Sequence, residues 1–211
     1  MNRWLDRFIT LLLVALLGWA GWSLLHWLLH AADWSVVTTN LPLYAVGSFP
    51  ADQRWRPLLW MVVLLTLTLL TLCGPKHGPV RRWLPLLWIA MAPLGLWLLA
   101  GGLGLLPVGS RSWGGLTLTL LLTGGSGALA LPLGILLALG RRSDLPVLRW
   151  SSATYIELMR AVPLIAVLFF GQLLIPLFLP PGLEINRVLR AVVAFALFAA
   201  AYIAEDVRGG L

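Results

Sequence analysis

Long apolar runs, broken by short polar stretches that carry nearly all the charge, set the pattern of this chain. Six of them, at 8–29, 58–73, 83–106, 114–139, 162–179 and 189–203, lack the strict alternation of a half-buried strand. They approach or exceed the roughly 20 residues that a helix needs to cross the hydrocarbon of a bilayer. Backbone groups there find no water, so each run must satisfy its N–H and C=O groups internally, as an α-helix does. The pattern therefore predicts an all-α integral membrane protein with about six transmembrane helices.

The stretch at 145–162 has a different texture. Leu148, Tyr155, Leu158, Met159 and Val162 fall broadly on one side, which predicts an amphipathic helix at the membrane boundary, with Pro163 releasing the chain into the next span. Residues 31–57 form the one sizeable outer segment. Asp33, Thr38, Thr39, Asn40, Pro42, Gly47, Pro50 and Asp52 mark it as a loop or small cap. Gly74-Pro-Lys-His-Gly-Pro79 is a tight inner turn by the same logic.

Composition removes the soluble alternatives. Hydrophobic residues make up 60% of the chain and charged ones 11%, and the mean hydropathy is +0.91. The net charge of +7 forms no basic stripe for nucleic acid; it is spread in ones and twos between apolar runs. With the N-terminus in the cytoplasm, ten Lys and Arg residues lie inside and five outside, the outer set being Arg54, Arg56, Arg111, Arg187 and Arg190. The first run exceeds the apolar core of a signal peptide and has no small-residue cleavage site after Leu29, so it reads as a retained anchor. Trp4, Trp83 and Trp150 fall near the inner boundary, and Trp27, Trp34, Trp55, Trp60 and Trp113 near the outer one. Trp19, Trp22, Trp88 and Trp97 lie deeper and read as packing or lipid-facing residues. Cys73, the single cysteine, reads as a small apolar residue.

No catalytic constellation emerges. His26 and His30 are four positions apart without a third ligand, which fits an interfacial pair better than a metal site. The deep parts of the spans offer no histidine or lysine to activate a serine, so intramembrane proteolysis is disfavoured. Small and hydroxyl residues at Gly114, Gly115, Thr117 and Thr119, and again at Gly124, Gly125, Gly127, Ala128 and Gly134, suit a helix that others approach closely, with Pro132 a point for a kink. Glu157 and Arg160 are three apart and expected to pair along their helix. A second Glu-x-x-Arg places Glu205 and Arg208 at the end of the last run, where a carboxylate near membrane depth faces protein or water rather than lipid. Glu205, Glu157 and Arg160 are the candidates for a substrate path or for helix packing.

Four blocks then carry a resemblance: Trp113-Gly-Gly-Leu-Thr-Leu-Thr119, Leu131-Pro-Leu-Gly-Ile-Leu-Leu-Ala-Leu-Gly-Arg-Arg-Ser143, Tyr155-Ile-Glu-Leu-Met-Arg-Ala-Val-Pro-Leu164 and Ala201-Tyr-Ile-Ala-Glu-Asp-Val-Arg-Gly-Gly-Leu211. In order and spacing, over about 100 residues, they resemble the permease subunits of polar amino-acid ABC importers. The family's Glu-x-x-Arg-Gly reads Glu-x-x-Arg-Ala here, with Ala161 in the last place. The three spans ahead of the blocks resemble the N-terminal extension of the longer permeases of general L-amino-acid importers.

The resemblance implies a partial type I importer fold, with the extension at 1–112 and the first part of the permease domain at 113–211. It implies a second permease subunit, two ATPase subunits inside the cell and a periplasmic amino-acid-binding protein outside, in a bacterial inner membrane. The chain contains no Gly-x-x-x-x-Gly-Lys-Ser/Thr phosphate loop, so ATP and Mg are expected on the partner ATPase, with no cofactor and no enzymatic activity in this chain. The family continues past Arg-Gly-Gly-Leu into a Glu-Ala-Ala loop that couples to the ATPase, so the segment from Glu205 to Leu211 is expected to be the entry to that loop and the chain an incomplete permease. A non-transporting membrane scaffold or assembly subunit remains the alternative at this stage. A polytopic lipid enzyme would need titratable residues clustered at one membrane depth, which these spans lack.

Overall fold

The computed structural model describes residues 3–74, 79–180 and 182–210. The helices are α1 (Arg3–His30), α2 (Ser35–Val46), α3 (Trp55–Cys73), α4 (Pro79–Ala100), α5 (Gly115–Arg141), α6 (Pro146–Ala161), α7 (Leu164–Phe169), α8 (Ile175–Phe178) and α9 (Arg187–Gly210). The architecture is all-α, as the apolar pattern predicts. Among the described residues five helices are long and apolar enough to cross a membrane, and a sixth span is made if α6 and the α7–α8 segment are counted together. The inner turn expected around Lys76 and His77 lies outside the described residues.

Contacts divide the chain into two units, Met1–Leu41 and Pro42–Leu211, the boundary falling within α2. In the first unit α1 buries no side chain, as suits a helix with lipid on every face. His26 and His30 stack near its end with ring centroids 4.6 Å apart. The outer segment expected as a loop or small cap contains the helix α2. Its polar residues bond back onto their own helix: the Thr38 hydroxyl donates to the Trp34 and Ser35 carbonyls, and the Asn40 amide donates to Val36 O at 2.7 Å. Those local bonds let a turn-like composition remain helical.

In the second unit α5 is the central rod, packed along α9 and, at its ends, against α6 and the segment after α2. The seam with α9 is built from small residues. Ala130, Ala138, Ala196, Ala200 and Ala204 are all buried along it. A Cβ on Gly134 would stand 2.6 Å from Ile203 Cγ2 and 3.0 Å from Ala200 O, so the two backbones meet there at a distance only glycine allows. Gly124 and Gly127, expected to serve the same end, face open space. The close approach lies two turns further along α5, which runs through Pro132 as one helix.

At the other end of α5, Gly114 and Gly115 abut the chain leaving α2. A Cβ on Gly115, which has φ +59°, would lie 2.4 Å from Tyr44 O, and one on Gly47 would lie 2.4 Å from Gly114 Cα. The Thr117 hydroxyl donates to Ala45 O at 2.9 Å. The hydroxyl and small residues expected to receive a neighbouring element do so here.

Two tryptophans placed at the outer boundary by sequence are core residues. Trp60 is 3% exposed and donates its indole N–H to Met91 O at 3.1 Å; Trp113 is 8% exposed and donates to Val108 O at 3.2 Å. Arg56, counted among the outer charges, is 1% exposed, donates from Nη1 to Gln53 and to Leu106 O, and lies over the Phe49 ring.

The expected span at 162–179 is not a straight continuation of α6. Val162 precedes a proline and takes an extended conformation, ψ 134°, and Pro163 follows at ψ 138°. The axes of α6 and the α7–α8 segment differ by 104°. Between α7 and α8 the residues Phe170–Leu174 form a π-helical turn, in which the Ile175 N–H reaches back to Phe170 O. Gly171 lies against Ala194 of α9 in that turn, where a Cβ would come within 3.2 Å.

Candidate functional site

The small-residue seam sets the geometry of charge at its end. Because α5 and α9 run close together, Arg141 in the last turn of α5 stands level with Glu205 near the end of α9. Gly140 lets α6 come equally near, since a Cβ there would be 2.4 Å from Ser152 Oγ. The Tyr155 hydroxyl then donates to Leu197 O of α9 at 2.8 Å, fixing the rotation of α6. Glu157 and Arg160 are carried toward the same place.

Glu205 is the hub. Its Oε2 lies 3.4 Å from Arg141 Nη1 and 3.6 Å from Arg160 Nη1, and its Oε1 accepts from Arg208, whose Nε is 3.1 Å away. Arg141 Nη2 also reaches Glu157 Oε1 at 3.3 Å. The Glu205 side chain is 24% exposed against 69% for Glu157, so the first sits inside the cluster and the second at its edge. The Arg160 guanidinium lies over the Tyr202 ring, 5.8 Å from its centroid.

This corrects one expectation. Glu157 and Arg160 do not bridge one another among the described residues; each pairs with a different helix, Glu157 with α5 and Arg160 with α9. The spacing would allow an i,i+3 pair, but partners on neighbouring helices stand closer to each charged end. The pair expected between Glu205 and Arg208 does form. Arg141 is the member that sequence reasoning passed over as a span terminus. Its signal was available: a Gly-Arg at the end of a small-residue helix lies at the same depth as a carboxylate on the helix it packs against.

Among the described residues the cluster holds no nucleophile and no unpaired base. One carboxylate with three guanidinium partners is an ionic clasp across α5, α6 and α9. The exposed Arg141–Glu157 contact adds at most about 1 kcal/mol. Movement of α6 away from α9 breaks the Arg160–Glu205 contact while leaving Arg208 in place.

The chain is 41% identical over 196 residues to the inner membrane amino-acid ABC transporter permease protein YhdY of Escherichia coli K12, covering 92% of this chain and 53% of that protein. Over the length it spans, the chain is similar to amino-acid ABC transporter permeases. It is also 36% identical to the glutamate/glutamine/aspartate/asparagine transport system permease protein BztC of Rhodobacter capsulatus, over 85% of this chain and 54% of that one. The glutamate/aspartate import permease protein GltK of Escherichia coli O157:H7 is 33% identical over 102 residues, 46% of each protein. The chain thus spans about half the length of these curated relatives. No family model and no solved structure matches it.

Proposed function

We propose that the chain is a membrane-spanning permease subunit of an ATP-driven amino-acid importer, forming the translocation path with a second permease subunit in a bacterial inner membrane. The observation that carries this reading is the identity to an amino-acid permease across 92% of the chain. In this reading residues 1–112 are an N-terminal extension and 113–211 the beginning of the permease domain, a division that rests on the four sequence blocks from Trp113 onward. ATP and Mg belong to separate ATPase subunits, and the substrate is delivered by a periplasmic amino-acid-binding protein. ATP-driven closure of the ATPases shifts the permease between outward and inward access, which requires contacts that differ between the two states.

In this scheme Glu205, Glu157 and Arg160 act in helix packing at the cytoplasmic end, holding α6 against α5 and α9, rather than in contact with the amino acid. The test is reconstitution of the full-length permease with its ATPase and binding protein in proteoliposomes, with labelled amino acids outside. Uptake that requires ATP supports the proposal, and uptake indifferent to ATP overturns it.

A further inference from the structure

At the end of the second unit opposite Glu205 lies a cleft of about 380 Å³ lined by Ser110, Arg111, Glu184, Asn186, Arg187 and Arg190 among others. Three guanidinium groups share it with one carboxylate, and among the described residues none of the three is in an ion pair. Two bonds fix its wall: Arg187 Nη2 donates to Ser110 O at 2.7 Å and the Asn186 amide donates to Ser110 Oγ at 3.1 Å. Arg190 Nε is buried and has no hydrogen-bond partner among the described residues. Asn186 Oδ1 caps α9 by accepting the Val188 N–H at 2.8 Å, so the positive end of a 24-residue helix opens onto the same place.

A second lobe of about 390 Å³ adjoins the first, sharing Glu184, Ile185 and Arg190, and adds the apolar side chains of Pro176, Leu179 and Leu183 to its wall. Leu177 and Phe178 beside it are 77% and 80% exposed, as suits a surface that faces hydrocarbon. The two lobes together suit a ligand with an anionic head and an apolar body. At a membrane boundary that form belongs to a phospholipid. We propose that this cleft holds the phosphate of an anionic phospholipid headgroup, met by Arg187, Arg190 and Arg111, with the glycerol and upper acyl region lying along Pro176, Leu179 and Leu183. Guanidinium groups suit phosphate because their planar fork offers two parallel N–H donors.

Native mass spectrometry of the purified full chain, offered equimolar phosphatidylglycerol and phosphatidylcholine, tests the assignment. Phosphatidylglycerol is expected to be retained over phosphatidylcholine by about tenfold or more, and millimolar inorganic phosphate to leave it bound. R190Q is expected to lower that preference by about fivefold, and R111Q, at a side chain with no hydrogen bond among the described residues, to lower it while leaving the fold intact. Equal retention of the two lipids by the wild-type chain, or an unchanged preference in both variants, overturns the proposal. Complete displacement of the lipid by inorganic phosphate overturns the headgroup assignment and leaves a free-anion site. Should R190Q fail to fold, the wild-type lipid competition and R111Q decide.

Discussion

Arg141 and Glu205 are 64 positions apart in sequence, yet Nη1 of one stands 3.4 Å from Oε2 of the other. The contact is a consequence of packing before it is one of charge. Glycine and alanine along α5 and α9 bring the backbones close enough for an arginine at one helix end to reach the carboxylate on its neighbour, and Arg160 and Arg208 close around the same group. Neutralising the hub should therefore do more than removing any one spoke. Glu205→Gln is expected to lower the thermal midpoint of the detergent-solubilised chain by several degrees, and Arg160→Gln by less, because Arg141 and Arg208 remain. The two changes combined should fall short of their sum, since both remove one interaction. Full additivity in that cycle would show that Arg160 and Glu205 act independently.

The seam itself can be tested away from the charges. Gly134→Ala puts a methyl group 2.6 Å from Ile203 Cγ2 and is expected to destabilise by about 1–3 kcal/mol through overpacking. Gly127→Ala, on the same helix but facing open space, should be neutral or stabilising by up to about 1 kcal/mol from helix propensity. Equilibrium unfolding of both variants gives the comparison, and equal effects would remove the claim that contact distance drives the difference.

A separate junction joins the end of α2 to the start of α5. Thr117→Val keeps the shape of the side chain but withdraws the donor from Ala45 O, leaving a shielded carbonyl unpaired. The expected loss is about 1–3 kcal/mol, read from unfolding midpoints. A Thr117→Ser variant, which keeps the hydroxyl, should retain most of that stability, and equal losses in the two variants would mean the bond contributes nothing.

Asp33 lies between α1 and α2, where its Oδ1 accepts the Ser35 N–H at 2.9 Å. Hydrogen bonds from Ser35, its side chain first and its backbone second, hold the carboxyl below the usual aspartate range. A lowered carboxyl stabilises the folded form above its unfolded value and loses that contribution as pH falls through the folded one. The protection of the Ser35 amide, its exchange rate taken relative to the intrinsic rate at the same pH, is thus expected to fall in acid, and Asp33→Ala to show the lower protection already at neutral pH. A Ser35 amide indifferent to both would break the link between the carboxylate and the start of α2.

Much of the fold is legible in the sequence because hydrocarbon leaves the backbone few choices. The apolar runs locate the long helices, the one-sided pattern at 145–162 locates α6, and Pro163 marks where it ends. Depth and burial are harder to read. Trp60 and Trp113 have the composition of boundary residues, and only the partners of their indole N–H groups reveal them as core. The helix α2 is hidden by Thr, Asn and Pro, whose preference for turns is overcome by side-chain bonds along the helix. In the charged cluster, residue spacing identifies Glu157, Arg160 and Glu205, but which of them meet depends on the α5–α9 seam, a long-range feature that no local window contains.

The bend after α6 bears on how the protein fits its bilayer. With α6 turned aside by 104°, the remaining helical segment runs from Leu164 to Phe178. At 1.5 Å per residue that is roughly 22 Å of rise, against about 30 Å of hydrocarbon. The shortfall is a hydrophobic mismatch that a straight sixth rod would not have had. A segment this short is accommodated by thinning of the bilayer around it or by an incomplete passage, so membrane thickness is expected to act directly on this edge of the chain.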